Sequence, residues 1–104
     1  MIDLYRVAGN SMSPTLVSGQ IFVSLIVKNY RVGDVIILRT KQAGNIVKRI
    51  SAINNGLISV CGDNKNAESS LCYQSYGQED VVGKMVLKIP KILSQRWFLR
   101  KSKT

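Results

Sequence analysis

The sequence predicts a small, mainly β domain over residues 1–90, followed by a short basic tail over residues 91–104. Three observations support this prediction: apolar runs of strand length, period-two alternation within them, and Gly, Asn and Asp between them. A chain of 104 residues is typical of one domain, and its 45% apolar content is enough for a modest core.

The first two predicted strands lie before residue 40. In the stretch "QIFVSLIV" the residues Ile21, Val23, Leu25 and Val27 alternate and share one strand face. The turn "NYRVGD" follows it. The next run, "VIILR" over 35–39, is apolar on both faces, which is typical of an interior strand.

The remaining strands form a hairpin and a final strand. After the turn "TKQAGN", the strand "IVKRISAI" (46–53) is connected through "NNG" to "LISVC" (57–61), because Asn and Gly tolerate the positive φ of a tight turn. A polar loop spans 62–77, and "VVGKMVLKI" (81–89) is the last strand. In the tail, one face of a short helix could carry Ile92, Leu93, Trp97 and Phe98.

The composition excludes several kinds of site. With no histidine, the chain cannot have a Ser-His-Asp triad, a Cys-His pair or a His-ligated metal. Two cysteines, Cys61 and Cys72, are too few for a thiolate zinc site, and they could form a disulfide or remain free. We therefore expect no metal and no cofactor.

The formal charge of +9 suggests an acidic partner, which could be nucleic acid, an anionic membrane surface or an acidic protein. The N-terminus resembles no signal peptide, and the longest apolar run, Ile21 to Val27, is far shorter than the ~20 residues of a spanning helix. The sequence thus predicts a soluble cytoplasmic protein without an integral membrane segment, and the tail 91–104 is the segment that could touch a membrane surface.

Lys48 is the best candidate for a general base. Without histidine, a serine nucleophile would need a lysine that burial keeps uncharged, and such a lysine must lie on an apolar strand face. In "NIVKRISAI", Lys48 alternates with Ile46 and Ile50, whereas Arg49 lies on the opposite face. A lysine that extends past its neighbours into solvent is the structural alternative.

Ser11 is the matching candidate nucleophile. The stretch "GNSMSPTL" over 9–16 forms a turn in which a serine hydroxyl could be exposed next to backbone N–H groups. From the turn alone, an N-cap serine is the favoured explanation of the pattern, and Ser13 competes with Ser11.

Five blocks in order resemble the Ser-Lys peptidases, the group of signal peptidase I and the LexA-like repressors. "GNSMSPTL..GQ", "YRVGDVIIL", "VKRI", "CGDN" and "YGQEDVVGKM" are similar to their conserved boxes, and the Gly-Asp-Asn box favours the signal peptidase branch. The resemblance spans residues 5 to about 88 and implies the coiled β fold of those catalytic domains.

The resemblance implies a serine endopeptidase with Ser11 as nucleophile and Lys48 as general base, and a precursor polypeptide as substrate. It places Gly9, Asn10, Ser11 and Met12 at the oxyanion and substrate-binding turn, and Gly62, Asp63, Asn64 and Ser70 in a supporting loop. It further implies cleavage after a small residue of a leader or propeptide, with the substrate extended along a strand edge. The small processing proteases of the nickel-type superoxide dismutase maturation type are the most similar branch.

Three departures from the family pattern stand out. Cys72 and Gln74 occupy the positions of an expected Asp and Arg, so the loop that supports Lys48 must be braced differently. Gly9 stands where many members have a serine that donates to the oxyanion, which leaves the backbone N–H of Ser11 as first choice. Gln20 replaces an Asp.

Three other functions remain open from the sequence. A basic β-barrel that binds single-stranded nucleic acid could stack bases on its aromatic residues Tyr5, Tyr30, Tyr73, Tyr76 and Trp97, although these are scattered. A LexA-like protein that cleaves itself would use the same dyad. A membrane-surface accessory would rest on the tail.

Overall fold

The computed structural model describes residues 2–66, 72 and 74–90, and the predicted tail 91–104 lies outside them. The described part is mainly β, as predicted, with six strands and one short 3₁₀-helix. The elements are β1 (Ile2–Arg6), β2 (Ile21–Leu25), β3 (Val35–Thr40), β4 (Gly44–Asn54), β5 (Leu57–Cys61), the 3₁₀-helix Gln78–Asp80 and β6 (Val81–Ile89). No helix in these ranges is long and apolar enough to cross a membrane.

All neighbouring strands are antiparallel, in the order β1-β2-β6-β3-β4-β5. Strand β4 is long and changes partners along its length: β3 pairs with Gly44–Arg49, and β5 pairs with Arg49–Asn54. Among the described strands, none pairs with the second edge of residues 44–48. This unpaired edge of residues 44–48, here called the open edge of β4, borders the candidate site.

Strand β3 lies between two apolar clusters, which confirms the prediction that it is apolar on both faces. Its successive residues Val35 to Leu38 are all buried, and they point alternately to the two clusters. The first cluster consists of Val7, Met12, Leu16, Phe22, Val35 and Ile37. The second consists of Ile36, Leu38, Ile50, Ile58, Val60 and Tyr76. Each fully buried aliphatic or aromatic side chain contributes about 1.5–3 kcal/mol to the free energy of folding.

Strand β1 was not among the predicted strands. It pairs along its whole length with β2, and the ring of Tyr5 stacks on Phe22 with centroids 5.7 Å apart. Ile2 and Leu4 point away from the core and are exposed. The alternating apolar residues of this strand therefore lie on its exposed face, and its contact with β2 comes from the Tyr5 ring.

Some element boundaries and the surroundings of one loop residue differ from the predictions. Strand β2 ends at Leu25, short of Val27, and β4 begins at Gly44, inside the predicted turn. Tyr76, predicted within a polar loop, is buried and exchanges two backbone hydrogen bonds with Ile58. The hairpin at "NNG" forms as predicted, with Asn55 at a φ of 52° and Gly56 at 81°.

Candidate active site

Ser11 lies in a tight turn between β1 and β2. Gly9 enters this segment with a φ of +89°, a left-handed value that favours glycine. The N–H of Ser13 donates to the carbonyl of Asn10 at 3.1 Å. Met12 is only 2% exposed and anchors the turn in the first apolar cluster. Ser11 itself is half-buried, at the boundary between core and solvent.

Lys48 lies on the inner face of β4. The lysine is only 3% exposed and follows the alternation that the sequence predicts, with Ile46 and Ile50 on the same side. Its neighbour across the sheet is Ile36, which is fully buried. Within the described residues, no carboxylate forms an ion pair with Lys48. A buried amine without an acidic partner is uncommon, because an ammonium loses its hydration without compensation there.

Ser11 and Lys48 line the same cleft, which has a volume of about 320 Å³. One wall is the segment 5–8 at the end of β1, and the other is the open edge of β4. The lining is mostly apolar, with Tyr5, Val7, Met12, Ile37, Ile46 and Val47. An extended peptide could therefore add to the open edge and reach both candidate catalytic groups.

The predicted supporting loop contacts the serine turn directly. The N–H of Asn64 donates to the carbonyl of Ser11 at 2.9 Å, and its side-chain amide donates to the carbonyl of Asn10 at 3.0 Å. Gly62 approaches so closely that a Cβ built on it would lie 2.5 Å from the Ser11 carbonyl oxygen. The loop and the turn therefore hold each other in place, and only glycine permits the approach at position 62.

A bidentate ion pair braces this loop against β4. Arg49 donates from Nε to Oδ1 of Asp63 at 2.8 Å and from Nη2 to Oδ2 at 2.7 Å, and its Nη1 donates to the Gly33 carbonyl. The Thr15 hydroxyl donates to the same carboxylate at 2.5 Å. The hydrogen bonds from Arg49 hold the pKa of Asp63 below its usual value, although burial opposes them, and the bond from Thr15 lowers it further.

The brace was missed in the sequence, where Arg49 appeared only as the residue on the face opposite Lys48. Its signal was present: an arginine next to the candidate base and an aspartate in the Gly-Asp-Asn box. The departures at Cys72 and Gln74 predicted that the loop is braced differently, and Arg49 with Asp63 provides a brace. Ser70, predicted in the same loop, lies outside the described residues.

The two cysteines and the aromatic residues can also be placed in part. Cys61 and Cys72 are free thiols. Burial raises the pKa of the Cys61 thiol, and the nearby Asp63 carboxylate raises it further. Of the aromatic residues considered for base stacking, Tyr76 is buried and Tyr5 is stacked on Phe22, whereas Tyr73 and Trp97 lie outside the described residues.

The candidate oxyanion donors lie on the same turn as Ser11. In the described part of the chain, the backbone N–H groups of Ser11 and Met12 donate to no protein acceptor. Gly9 and Asn10 lead into the turn and are exposed. The N–H of Ser11 is thus available next to the hydroxyl of the same residue, as the departure at Gly9 requires.

A comparison with known families found a match over the first two thirds of the chain. The family model described as "Signal peptidase, peptidase S26" matches residues 1–68, which include the serine turn, Lys48 and the Gly-Asp-Asn box. The chain belongs to the signal peptidase family. The family implies a serine peptidase with a polypeptide substrate. No curated protein matches the sequence.

Proposed function

We propose that this signal peptidase family member is a serine endopeptidase in which Ser11 is the nucleophile and Lys48 the general base. The observation that supports this assignment is the shared cleft, where Ser11 is half-buried and Lys48 is only 3% exposed, with no carboxylate partner among the described residues. Histidine, the usual base for a serine, is absent from the chain.

The first chemical step forms an acyl-enzyme. The neutral Lys48 amine takes the proton of Ser11 Oγ as that oxygen attacks the scissile carbonyl carbon. The tetrahedral oxyanion accepts a hydrogen bond from the Ser11 N–H. The C–N bond then breaks, the leaving amine receives the proton from Lys48, and the acyl group remains on Ser11.

The second step returns the enzyme to its starting state. A water molecule gives its proton to Lys48 and attacks the ester carbonyl, and the same N–H stabilises the second oxyanion. When the intermediate breaks down, Ser11 Oγ leaves with the proton held by Lys48. One lysine thus serves as base and acid in both steps, which requires that no nearby carboxylate holds it permanently charged.

The substrate in this proposal is a precursor polypeptide that is cut after a small residue at an N-terminal leader or propeptide, as the family resemblance implies. Its main chain pairs with the open edge of β4 at residues 44–48, and its side chains contact the apolar walls of the cleft. Main-chain pairing accounts for binding of an extended segment, and the apolar walls limit the size of its side chains.

The test compares two serines of the same turn. We expect Ser11→Ala to lower kcat/KM on a peptide with alanine before the scissile bond by on the order of 1,000-fold or more. Ser13→Ala, which removes a hydroxyl two residues away, is the matched control and should keep most of the activity. Intact-mass analysis after acid quenching should detect an acyl group in the parent protein and not in Ser11→Ala.

Thermal unfolding of both variants checks that a loss of activity is not caused by a loss of folded structure. An active Ser11→Ala protein, or an acyl group on any residue other than Ser11, would contradict the proposed mechanism.

A further inference from the structure

One face of the sheet formed by β1, β2 and β6 carries a row of apolar side chains. Leu4 pairs with Val23, and Val23 pairs with Leu87, so these three side chains lie side by side across the three strands. Ile2 and Leu25 form the next pair on the same face. Ile2 is 65% exposed, Leu4 53% and Leu87 60%. These five residues, called the apolar face below, form the kind of exposed apolar patch that another segment or molecule contacts.

The opposite face of the same strands is already packed. Phe22 is fully buried in the first apolar cluster, and Tyr5 and Met85 pack against that cluster. A further segment that adds to these three strands therefore finds exposed apolar side chains on the apolar face.

The tail 91–104 begins beside the apolar face. Strand β6 carries Leu87 and ends at Ile89, and Pro90 follows. The side-chain amide of Gln20 donates to the carbonyl of Ile89 at 3.3 Å and ties the end of β6 to the start of β2. The tail thus leaves the sheet from one of the strands that form the apolar face.

The tail has the apolar residues and the length to cover this face. The candidates for one side of a short helix are Ile92, Leu93, Trp97 and Phe98. A helix over 91–99 would be about 13 Å long at ~1.5 Å per residue. The apolar face is about 10 Å wide across three strands at ~4.8 Å, and β1 is about 13 Å long at ~3.3 Å per residue. A helix of this length therefore fits along the strands.

We propose that the apolar face is the docking site of the chain's own tail, whose apolar side chains pack on Leu4 and Leu87 while its basic side chains point to solvent. The covalent connection favours the tail over a separate molecule, because a short tether gives an effective concentration in the millimolar range. A separate partner would lose translational and rotational freedom on binding. The inference does not depend on the proposed function.

Docking of the tail would also support one wall of the cleft. Among the described strands, β1 pairs only with β2, so it is an edge strand. The segment 5–8 at its end lines the cleft. A tail that spans β6, β2 and β1 would cover Leu4 and hold this edge strand against its neighbour.

The fluorescence of Trp97 tests the docking, because the chain has one tryptophan and it lies in the tail. In the parent protein we expect blue-shifted emission and weak quenching by acrylamide. Leu4→Glu and Leu87→Glu should each shift the emission to the red and strengthen the quenching, because a carboxylate buried beneath the tail would lose its hydration. Leu57→Glu is the matched control: Leu57 is also 53% exposed but lies on β5, outside the apolar face, and its variant should keep the parent emission.

A double-mutant cycle in the full chain tests the contact itself. Replacing both Ile92 and Leu93 by serine should lower the midpoint of thermal unfolding by about 4–8 °C, and Leu4→Glu should lower it by a similar amount. The combined variant should be hardly less stable than either, because each change already removes the same contact. Fully additive shifts would overturn the inference. Circular dichroism confirms that each variant keeps its β structure.

The same fluorescence distinguishes the tail from other molecules on this face. A blue shift that is lost on dilution, together with a dimer in sedimentation equilibrium, would assign the face to a second copy of the chain. Solvent-exposed emission that becomes blue-shifted only with phosphatidylglycerol vesicles would assign it to a lipid surface. Either result overturns the inference, as does an emission that Leu4→Glu and Leu87→Glu leave unchanged.

Discussion

Two lysines flank the same buried residue and have opposite surroundings. Ile36 on β3 pairs with Lys48 on β4 at one side and with Lys84 on β6 at the other. The side chain of Lys84 is 31% exposed and forms an ion pair with Asp34 at 3.3 Å. Lys48 is 3% exposed and forms no ion pair among the described residues.

The two lysines differ because the carboxylates in this part of the fold bind different partners. Asp34 is available to Lys84, whereas Asp63, the carboxylate near the serine turn, is occupied by Arg49 and by the Thr15 hydroxyl. Within the part of the chain that the structure describes, Lys48 therefore has no counter-ion at its buried position. An ion pair with a carboxylate favours the ammonium form of a lysine in general, so the proposed role of general base suits the position without such a pair better.

The largest expected effect separates these lysines by activity. Lys48→Met keeps the length and apolar stem of the side chain and removes the amine, so kcat/KM should fall on the order of 1,000-fold. Lys84→Met makes the same change at the paired position and should stay within about threefold of the parent protein. The measurement is steady-state cleavage of the alanine peptide at neutral pH.

Equal losses of kcat/KM in the two methionine variants would mean that both lysines affect activity only by stabilising the fold. That result would contradict the assignment of Lys48 as the general base. Circular dichroism of each variant provides the control for folding.

The second prediction concerns the close approach of Gly62 to the Ser11 backbone. Gly62→Ala places a Cβ against the Ser11 backbone, which cannot move independently, and should destabilise the fold by about 1–3 kcal/mol while lowering activity. Gly77→Ala is the matched control, because the atoms nearest to its Cβ belong to the Glu79 carboxylate, the flexible end of a side chain. Urea unfolding and peptide cleavage measure both effects. A harmless Gly62→Ala would show that the loop does not position the serine.

Much of this arrangement could be predicted from local patterns. The alternation in "NIVKRI" places Lys48 among isoleucines, and "VIILR" has the continuous apolar character of a strand between two cores. The stretch "NNG" predicted the hairpin between β4 and β5, because Asn and Gly tolerate positive φ values. These features depend on residues close together in the chain, where period and turn chemistry are strong signals.

The missed features depend on contacts between distant residues. Strand β1 forms because β2 offers an edge and Phe22 offers a ring for Tyr5, neither of which is visible in "IDLYR". The ion pair between Arg49 and Asp63 joins a strand to a loop across 14 positions. The open edge of β4, which forms one wall of the cleft, results from the point at which β5 stops pairing.

The third prediction tests whether Asp63 is committed to Arg49. Because its pKa is lowered in the fold, its contribution to stability is complete above the unfolded value of ~3.9 and is lost as pH falls through the lower folded value. At pH 7, Asp63→Asn should therefore cost about 1–3 kcal/mol. Toward pH 3 and below, the parent protein should lose this advantage and approach the variant. If the difference in unfolding free energy between the parent protein and Asp63→Asn were the same at all pH values, the Asp63 carboxylate would not be held by Arg49 in the fold.

The smallest effect returns to the two lysines through stability. The Lys48 amine loses its hydration and has no ionic partner in residues 2–66, 72 and 74–90, so Lys48→Met should raise the free energy of unfolding by about 1 kcal/mol. Lys84→Met removes a partly exposed ion pair and should lower it by no more than about 1 kcal/mol. Urea unfolding at neutral pH measures both. If Lys48→Met stabilises the fold and Lys84→Met destabilises it, the lysine at position 48 lowers stability and is kept for its chemistry. A destabilised Lys48→Met would instead show that the amine has a structural role there.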